Sequence, residues 1–252
     1  MSGHSKWSQI RRQKGVNDAR RGQLFTKLAR EITVAAREGG GDPDANFRLR
    51  LAIQKARENN MPAENIQRAI ARGTGAGEGG HLEEIVYEGY GPSGAAIMVE
   101  ALTDNRNRTI AEVRNVFARN GGNLGETGSV SWMFEPRGVI MIACDGRNPE
   151  EIELAAIDAG ASDVTVDGDH VTVLTEPQSL DAVRVALAGQ FPIADAESTV
   201  MPQTTVELNP TDAVQVMKLV EKLEDLDDVQ RVHTNVDFPD EVLAAYSAAV
   251  AR

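Results

Sequence analysis

The spacing of apolar residues changes once along the chain, at the glycine-rich run from Gly73 to Gly80, and that change separates what can fold into helices from what can fold into sheet. Before it, apolar positions recur about every 3.6 residues: Leu24, Phe25, Leu28, Ile32 and Ala35, then Ala45, Leu49, Ala52, Ile53 and Ala56, then Ile66, Ala69 and Ile70. This period lays one apolar stripe along each of three amphipathic helices. The punctuation agrees. Gly39, Gly40 and Gly41 stop the first helix, Asp42 and Pro43 stand as cap and first residue of the second, and Pro62 with Glu64 opens a third that ends at Gly73. Facing stripes on three short helices make a small bundle, and Gly73 to Gly80 reads as a flexible linker.

Beyond the linker the period is two. Glu84 to Tyr90 and Ala95 to Leu102 read as strands joined through Gly91, Pro92, Ser93 and Gly94, a helix runs from about Arg106 to Arg119, and Gly128 to Phe134 reads as a further strand. Then come a strand (Val139 to Cys144), a helix capped by Asn148, a strand (Val164 to Val166), a hairpin turn at Asp167 and Gly168, a strand (Val171 to Leu174), a helix (Leu180 to Leu187) and a strand (Ala194 to Met201). That order is the split β-α-β of ferredoxin-like domains. A strand (Thr204 to Leu208), a helix capped by Asn209 and Pro210 and a strand (Val229 to Val236) follow it. They complete the elements that precede it. The expected fold is α+β and multidomain: an N-terminal three-helix bundle over 1–77, then two α/β, ferredoxin-like domains, the third (138–202) inserted in the second (81–137 plus 203–240). Tandem domains would leave unpaired sheet edges in each.

Charge is also divided by position. The first seventy-seven residues hold fifteen Lys and Arg against seven Asp and Glu, and the rest of the chain eleven against thirty-one, for a net charge of −12. A polyanion is drawn to the basic head and repelled by the acidic body. Between Ser2 and Asn17 the apolar residues are Trp7, Ile10 and Val16 with little else, too few to offset ordering entropy, so this stretch is expected to order on a partner. The candidate nucleic-acid contacts are His4, Lys6, Trp7, Arg11, Arg12 and Lys14 in this arm, Arg20, Arg21, Lys27, Arg30 and Arg37 on the first helix, and Arg48 and Lys55 on the second. Arg20, Lys27, Arg30 and Arg37 share the side away from the apolar stripe, where solvated charge is the plain alternative to phosphate contact. Trp7 has two readings, stacking on a base or docking on the protein's own helices.

Other functions find little footing. Gly89, Gly91 and Gly94 fit the G-x-G-x-x-G pattern, but Pro92 interrupts it and a strand follows where a dinucleotide site needs a helix N-terminus. His4, His81, His170 and His233 are scattered and Cys144 is the one cysteine, so neither a metal nor another cofactor is expected. No nucleophile with a nearby base stands out, and the chain is expected not to be an enzyme. The strands of the third domain carry Val and Thr where an RNA-recognition sheet shows stacking aromatics. Glu221, Glu224, Asp225, Asp227 and Asp228 read as a solvated acidic face that can also keep phosphate away from the body. Asn105, Arg106, Asn107 and Arg108, at a strand-to-helix junction after Asp104, can cap the helix and also grip an anion or a partner. With no apolar stretch of membrane length and no signal-peptide core, no membrane is expected as a partner and the location is expected to be cytoplasmic.

Several ordered blocks resemble one family. Gly3-His4-Ser5-Lys6-Trp7, Phe25-Thr26-Lys27, Gly39-Gly40-Gly41-Asp42-Pro43, Asn60-Met61-Pro62, Tyr87-Glu88-Gly89-Tyr90-Gly91-Pro92, Asp104 to Thr109 and Gly128 to Phe134 are similar to blocks of the YebC-like bacterial regulators and their mitochondrial relatives, translational activators of cytochrome c oxidase. The resemblance spans essentially the whole chain. It implies a non-enzymatic, three-domain protein, described in the family as a DNA-binding transcriptional regulator and, for some members, as a ribosome-associated factor that relieves stalling at proline-rich stretches. The expected function is thus nucleic-acid-binding regulation of gene expression, with DNA as the partner. The alternative is a translation factor contacting ribosomal RNA, which a Lys/Arg arm with one Trp suits. The sequence sets neither oligomeric state nor effector.

Overall fold

The computed structural model describes residues 18–75 and 82–250. They form two compact units: one of the described residues up to Ser131 with Thr211–Thr234, the other of Trp132–Pro210 with the described residues from Asn235 on.

The first unit opens with α1 (Asp18–Gly39), α2 (Phe47–Glu58) and α3 (Ala63–Gly73). Their stripes meet as the spacing predicts: Leu28, Ile32, Ala35 and Ala36 of α1 bury against Leu49, Ala52, Ile53 and Ala56 of α2 and Ile66 and Ala69 of α3. Burying each of the larger side chains contributes about 1.5–3 kcal/mol. α1 and α3 approach closely, since a Cβ on Gly73 would lie 2.3 Å from the Thr33 carbonyl, and the Thr33 hydroxyl donates to the Ala69 carbonyl at 3.1 Å.

The second helix begins later than the Asp42-Pro43 signal indicates. Asp42 to Ala45 form a turn in which the Asp42 carboxylate accepts the Asp44 N–H, Ala45 is exposed, and the cap is Asn46. The buried Asn46 side chain accepts the Leu49 N–H at 3.1 Å and donates to the Ala35 and Gly40 carbonyls at 2.7 and 2.9 Å. It satisfies the end of α1 and the start of α2 together, which Asp42 could not.

A four-stranded antiparallel sheet completes this unit, in the order β3-β1-β2-β9, built from β1 (Glu83–Tyr90), β2 (Ala96–Thr103), β3 (Asn123–Leu124) and β9 (Val229–Thr234). α4 (Arg106–Arg119) and α7 (Pro210–Glu224) supply Val113, Phe117, Val216, Leu219, Val220 and Leu223 to its core. The expected strand from Gly128 to Phe134 is absent; a turn and a short 3-10 helix lead into a strand that starts at Phe134. The reason is Glu88, whose buried carboxylate accepts the N–H groups of Gly128, Val130 and Ser131, each at 2.7 Å, so that the backbone curls around an anion instead of joining a ladder.

The second unit has the predicted β-α-β-β-α-β order: β4 (Phe134–Ala143), α5 (Pro149–Asp158), β5 (Asp163–Asp167), β6 (His170–Thr175), α6 (Leu180–Ala188) and β7 (Ile193–Pro202). All pairs are antiparallel and the spatial order is β5-β6-β4-β7, the ferredoxin-like arrangement. β8 (Val206–Glu207) pairs in parallel with β10 (Val236–Asp237) as a separate two-stranded sheet, so the strand expected at Thr204 to Leu208 is two residues long and the one expected at Val229 to Val236 is divided between β9 and β10. α8 (Asp240–Val250) ends the described chain.

Candidate nucleic-acid interface

The arm candidates His4, Lys6, Trp7, Arg11, Arg12 and Lys14, and the side chain of Arg20, lie outside the described residues. Arg21 is exposed at the start of α1 and Lys55 is half-buried on α2.

On the side of α1 opposite its stripe, Lys27, Arg30 and the exposed Arg37 each donate to acceptors of the same unit. Lys27 Nζ donates to the Glu224 carbonyl at 2.5 Å, at the C-terminal end of α7, where carbonyls are short of N–H partners. Arg37 donates to the Leu82 carbonyl at 2.7 Å, and the α2 residue Arg48 bridges Glu38 and Glu84 at 2.5 Å each. Val34 of α1 packs with Leu82 and Leu102. The face expected to meet phosphate therefore docks the helices onto the same unit's sheet.

Arg30 lies at the centre of that docking. Its guanidinium donates to the Asp227 carbonyl at 2.6 Å, to the Leu102 carbonyl at 3.3 Å and to Asp228 Oδ1 at 2.8 Å. Asp228, 2% exposed, also receives Arg108 Nη2 at 2.7 and 3.0 Å and the hydroxyls of Thr109 and Thr103 at 2.6 and 3.1 Å. Burial pushes its carboxyl toward the neutral form, but the Thr109 and Arg108 hydrogen bonds, the Arg30 charge and the Thr103 bond outweigh it and hold the pKa below the ordinary value. One carboxylate thus joins α1, the end of β2 and the first turns of α4. The acidic run is no uniform solvated face: Asp228 is buried, and Gln23 of α1 donates to Asp227 Oδ1 at 3.1 Å.

At the junction before α4, Asn105 accepts the Arg108 N–H at 3.1 Å and is the N-cap, while Arg108 is held by Asp104 and Asp228 and its guanidinium stays protonated. Arg106 and Asn107 are exposed beside them. Sequence reasoning missed Asp228 because nothing local distinguishes it from Asp225 and Asp227; its partners are 119 to 198 residues away. Glu88 was missed for the same reason, as its three donors lie at least 40 residues on. Among the described residues no group of His, Cys, Asp and Glu side chains could hold a metal ion, and no helix is long and apolar enough to cross a membrane.

Comparison with known proteins places the chain. Residues 5–76 match the TACO1/YebC protein N-terminal domain, and residues 82–236 match the TACO1/YebC second and third domain. A protein of Chloroflexus aurantiacus, named a probable transcriptional regulatory protein, is 59% identical over 252 residues, covering 98% of this chain and all of that one. A protein of Roseiflexus castenholzii with the same name is 58% identical over 96% of this chain and 97% of its own. The crystal structure of a conserved hypothetical protein, Aq1575, from Aquifex aeolicus superposes with a TM-score of 0.83 at 48% identity, covering 90% of this chain and 94% of that one. On fold, sequence and coverage alike, the chain belongs to the TACO1/YebC family.

Proposed function

We propose that this protein is a non-enzymatic, cytoplasmic regulator of transcription that binds DNA through its basic N-terminal segment. The observation that carries the reading is the name shared by relatives up to 59% identical over nearly the whole chain, probable transcriptional regulatory protein. Physical support comes from the position of the charge. Residues 1–21 hold six Lys and Arg against Asp18 alone, while Lys27, Arg30, Arg37 and Arg48 have donors occupied by the chain's own carbonyls and carboxylates. Phosphate contact is therefore assigned first to Lys6, Arg11, Arg12, Lys14 and Arg20, with Trp7 and His4 among them. Lys27, Arg30, Arg37 and Arg48 serve chiefly to hold the head on its sheet. The acidic remainder disfavours phosphate and so orients the bound polymer toward the head.

The test is to crosslink the full chain to nucleic acid in cells and sequence what is attached. Enrichment of promoter DNA is the expected result. Enrichment of ribosomal RNA, with promoter occupancy unchanged when the protein is deleted, would overturn DNA as the target and replace it with the ribosome.

A further inference from the structure

We propose that the outer edge of β1 is a docking site for an extended acidic segment of a partner protein, which adds to the sheet as a further strand. β3 pairs with Gly89 and Tyr90 alone, and Gly125 N–H reaches only as far as the Glu88 carbonyl. Because Glu88 turns its carbonyl outward, alternation along an antiparallel strand turns the main-chain groups of Val86 and Glu84 outward too. No described residue pairs with them. An unprotected edge of this kind is a template for another strand.

The surroundings specify what fits. A groove of about 490 Å³ runs beside this edge, lined by Val86, Tyr87, Arg106, Ile110 and Arg114 and by one exposed carboxylate, Glu126, among others. Val86 is 46% exposed, and the buried Tyr87 hydroxyl has no hydrogen-bond partner among the described residues. Arg106 and Arg114 are exposed on α4 and form no ion pair with a described residue. Eight residues of helix separate them by about 12 Å, close to the roughly 13 Å between residues i and i+4 of a strand. Those two strand positions share a face, and Ile110 lies midway. The complementary segment therefore carries acid, apolar and acid at alternate positions. Outward N–H and C=O groups alternating along Val86 and Glu84 match a peptide main chain; a phosphodiester, with acceptors alone, would leave each C=O unmet. The groove thus favours a peptide over a nucleic-acid strand.

The test titrates full-length protein into fluorescein-labelled Ac-TETVTETV-NH2, following anisotropy. Saturable binding is expected, with affinity reduced at least tenfold by Arg106→Glu with Arg114→Glu, no binding of the same peptide with Lys in place of Glu, and slowed amide exchange at Val86 on the unmodified protein. Exchange at Val86 does not depend on the variant folding. Absence of saturable binding at millimolar peptide, or affinity unchanged in the charge-reversed variant, would overturn the proposal. So would an eight-nucleotide thymidine oligomer that protects Val86 when the peptide does not.

Discussion

Asn46 and Asp228 are polar side chains buried in the core of one unit, and each stands where an apolar residue of similar size would leave backbone or charge unsatisfied. Asn46 is acceptor for Leu49 and donor to Ala35 and Gly40, so Asn46→Ala strips a cap from α2 and two partners from the end of α1. A loss of about 1–3 kcal/mol in urea unfolding is expected. Asn46→Asp should not rescue it, because a carboxylate keeps the acceptor but faces the two carbonyls with no donor. Asp228 carries a pH dependence as well. Its folded pKa is depressed below an unfolded value near 3.9, so the unfolded chain binds more protons in that window. The stabilisation is fully present above the unfolded pKa and is lost as pH falls through the folded one. Glu88, opposed by burial but held down by the N–H groups of Gly128, Val130 and Ser131, adds to the same limb. Asp228→Asn should destabilise the protein at pH 7 and make the fall between about pH 5 and pH 2 shallower, read from thermal midpoints across pH. A parallel fall in both proteins would rule out Asp228 as a source.

At the scale of elements, α1 is a helix with two engaged sides, one buried and one held by polar contacts, and only the first was legible. Its stripe of Leu28, Ile32 and Ala35 is apolar, and apolar periodicity has one meaning in water. Its other side, with Lys27, Arg30 and Arg37, suits solvent, phosphate or the chain's own carboxylates equally well at the level of sequence. The choice is made by Asp228, Glu224 and Leu82, which the fold brings from elsewhere. The expected strand at Gly128 to Phe134 has the same history, since β-compatible residues there yield to one carboxylate on β1. By contrast, the β-α-β-β-α-β order was readable because each of its turns carries a local signal, such as Asn148 with Pro149 or Gly168 at φ +59°. Lys27→Gln, Arg30→Gln and Arg37→Gln together should cost at least about 3 kcal/mol, since hydrogen bonds from charged donors each contribute about 1.5–3 kcal/mol. Hydrogen exchange should rise across α1 and at Leu102. If the triple variant melted like the parent, the docking would be incidental and these cations available to phosphate.

For the whole molecule the governing fact is that positive charge is concentrated at one end of an otherwise acidic chain, and the head's positive charge is of two kinds. Cations on α1 and α2 whose donors are held by the chain's own carbonyls and carboxylates have those donors taken from phosphate, and Arg30 and Arg48, which meet carboxylates, are locally neutral as well. Those between Lys6 and Arg20 are opposed in sequence by Asp18 alone. The two sets should therefore separate in a salt titration of the full-length protein on duplex DNA. Replacing Lys6, Arg11, Arg12 and Lys14 with Gln removes up to four phosphate contacts. The slope of log affinity against log salt should become less negative by as much as about 3.6, at roughly 0.9 per contact on B-DNA. Thermal stability should be unchanged in that variant. The α1 triple variant, titrated at a temperature where it remains folded, should keep the parental slope while losing stability. A slope that flattened with the α1 triple and stayed parental with the arm variant would reverse the assignment, placing phosphate on α1 and requiring the contacts of Arg30 with Asp228 to open when nucleic acid binds.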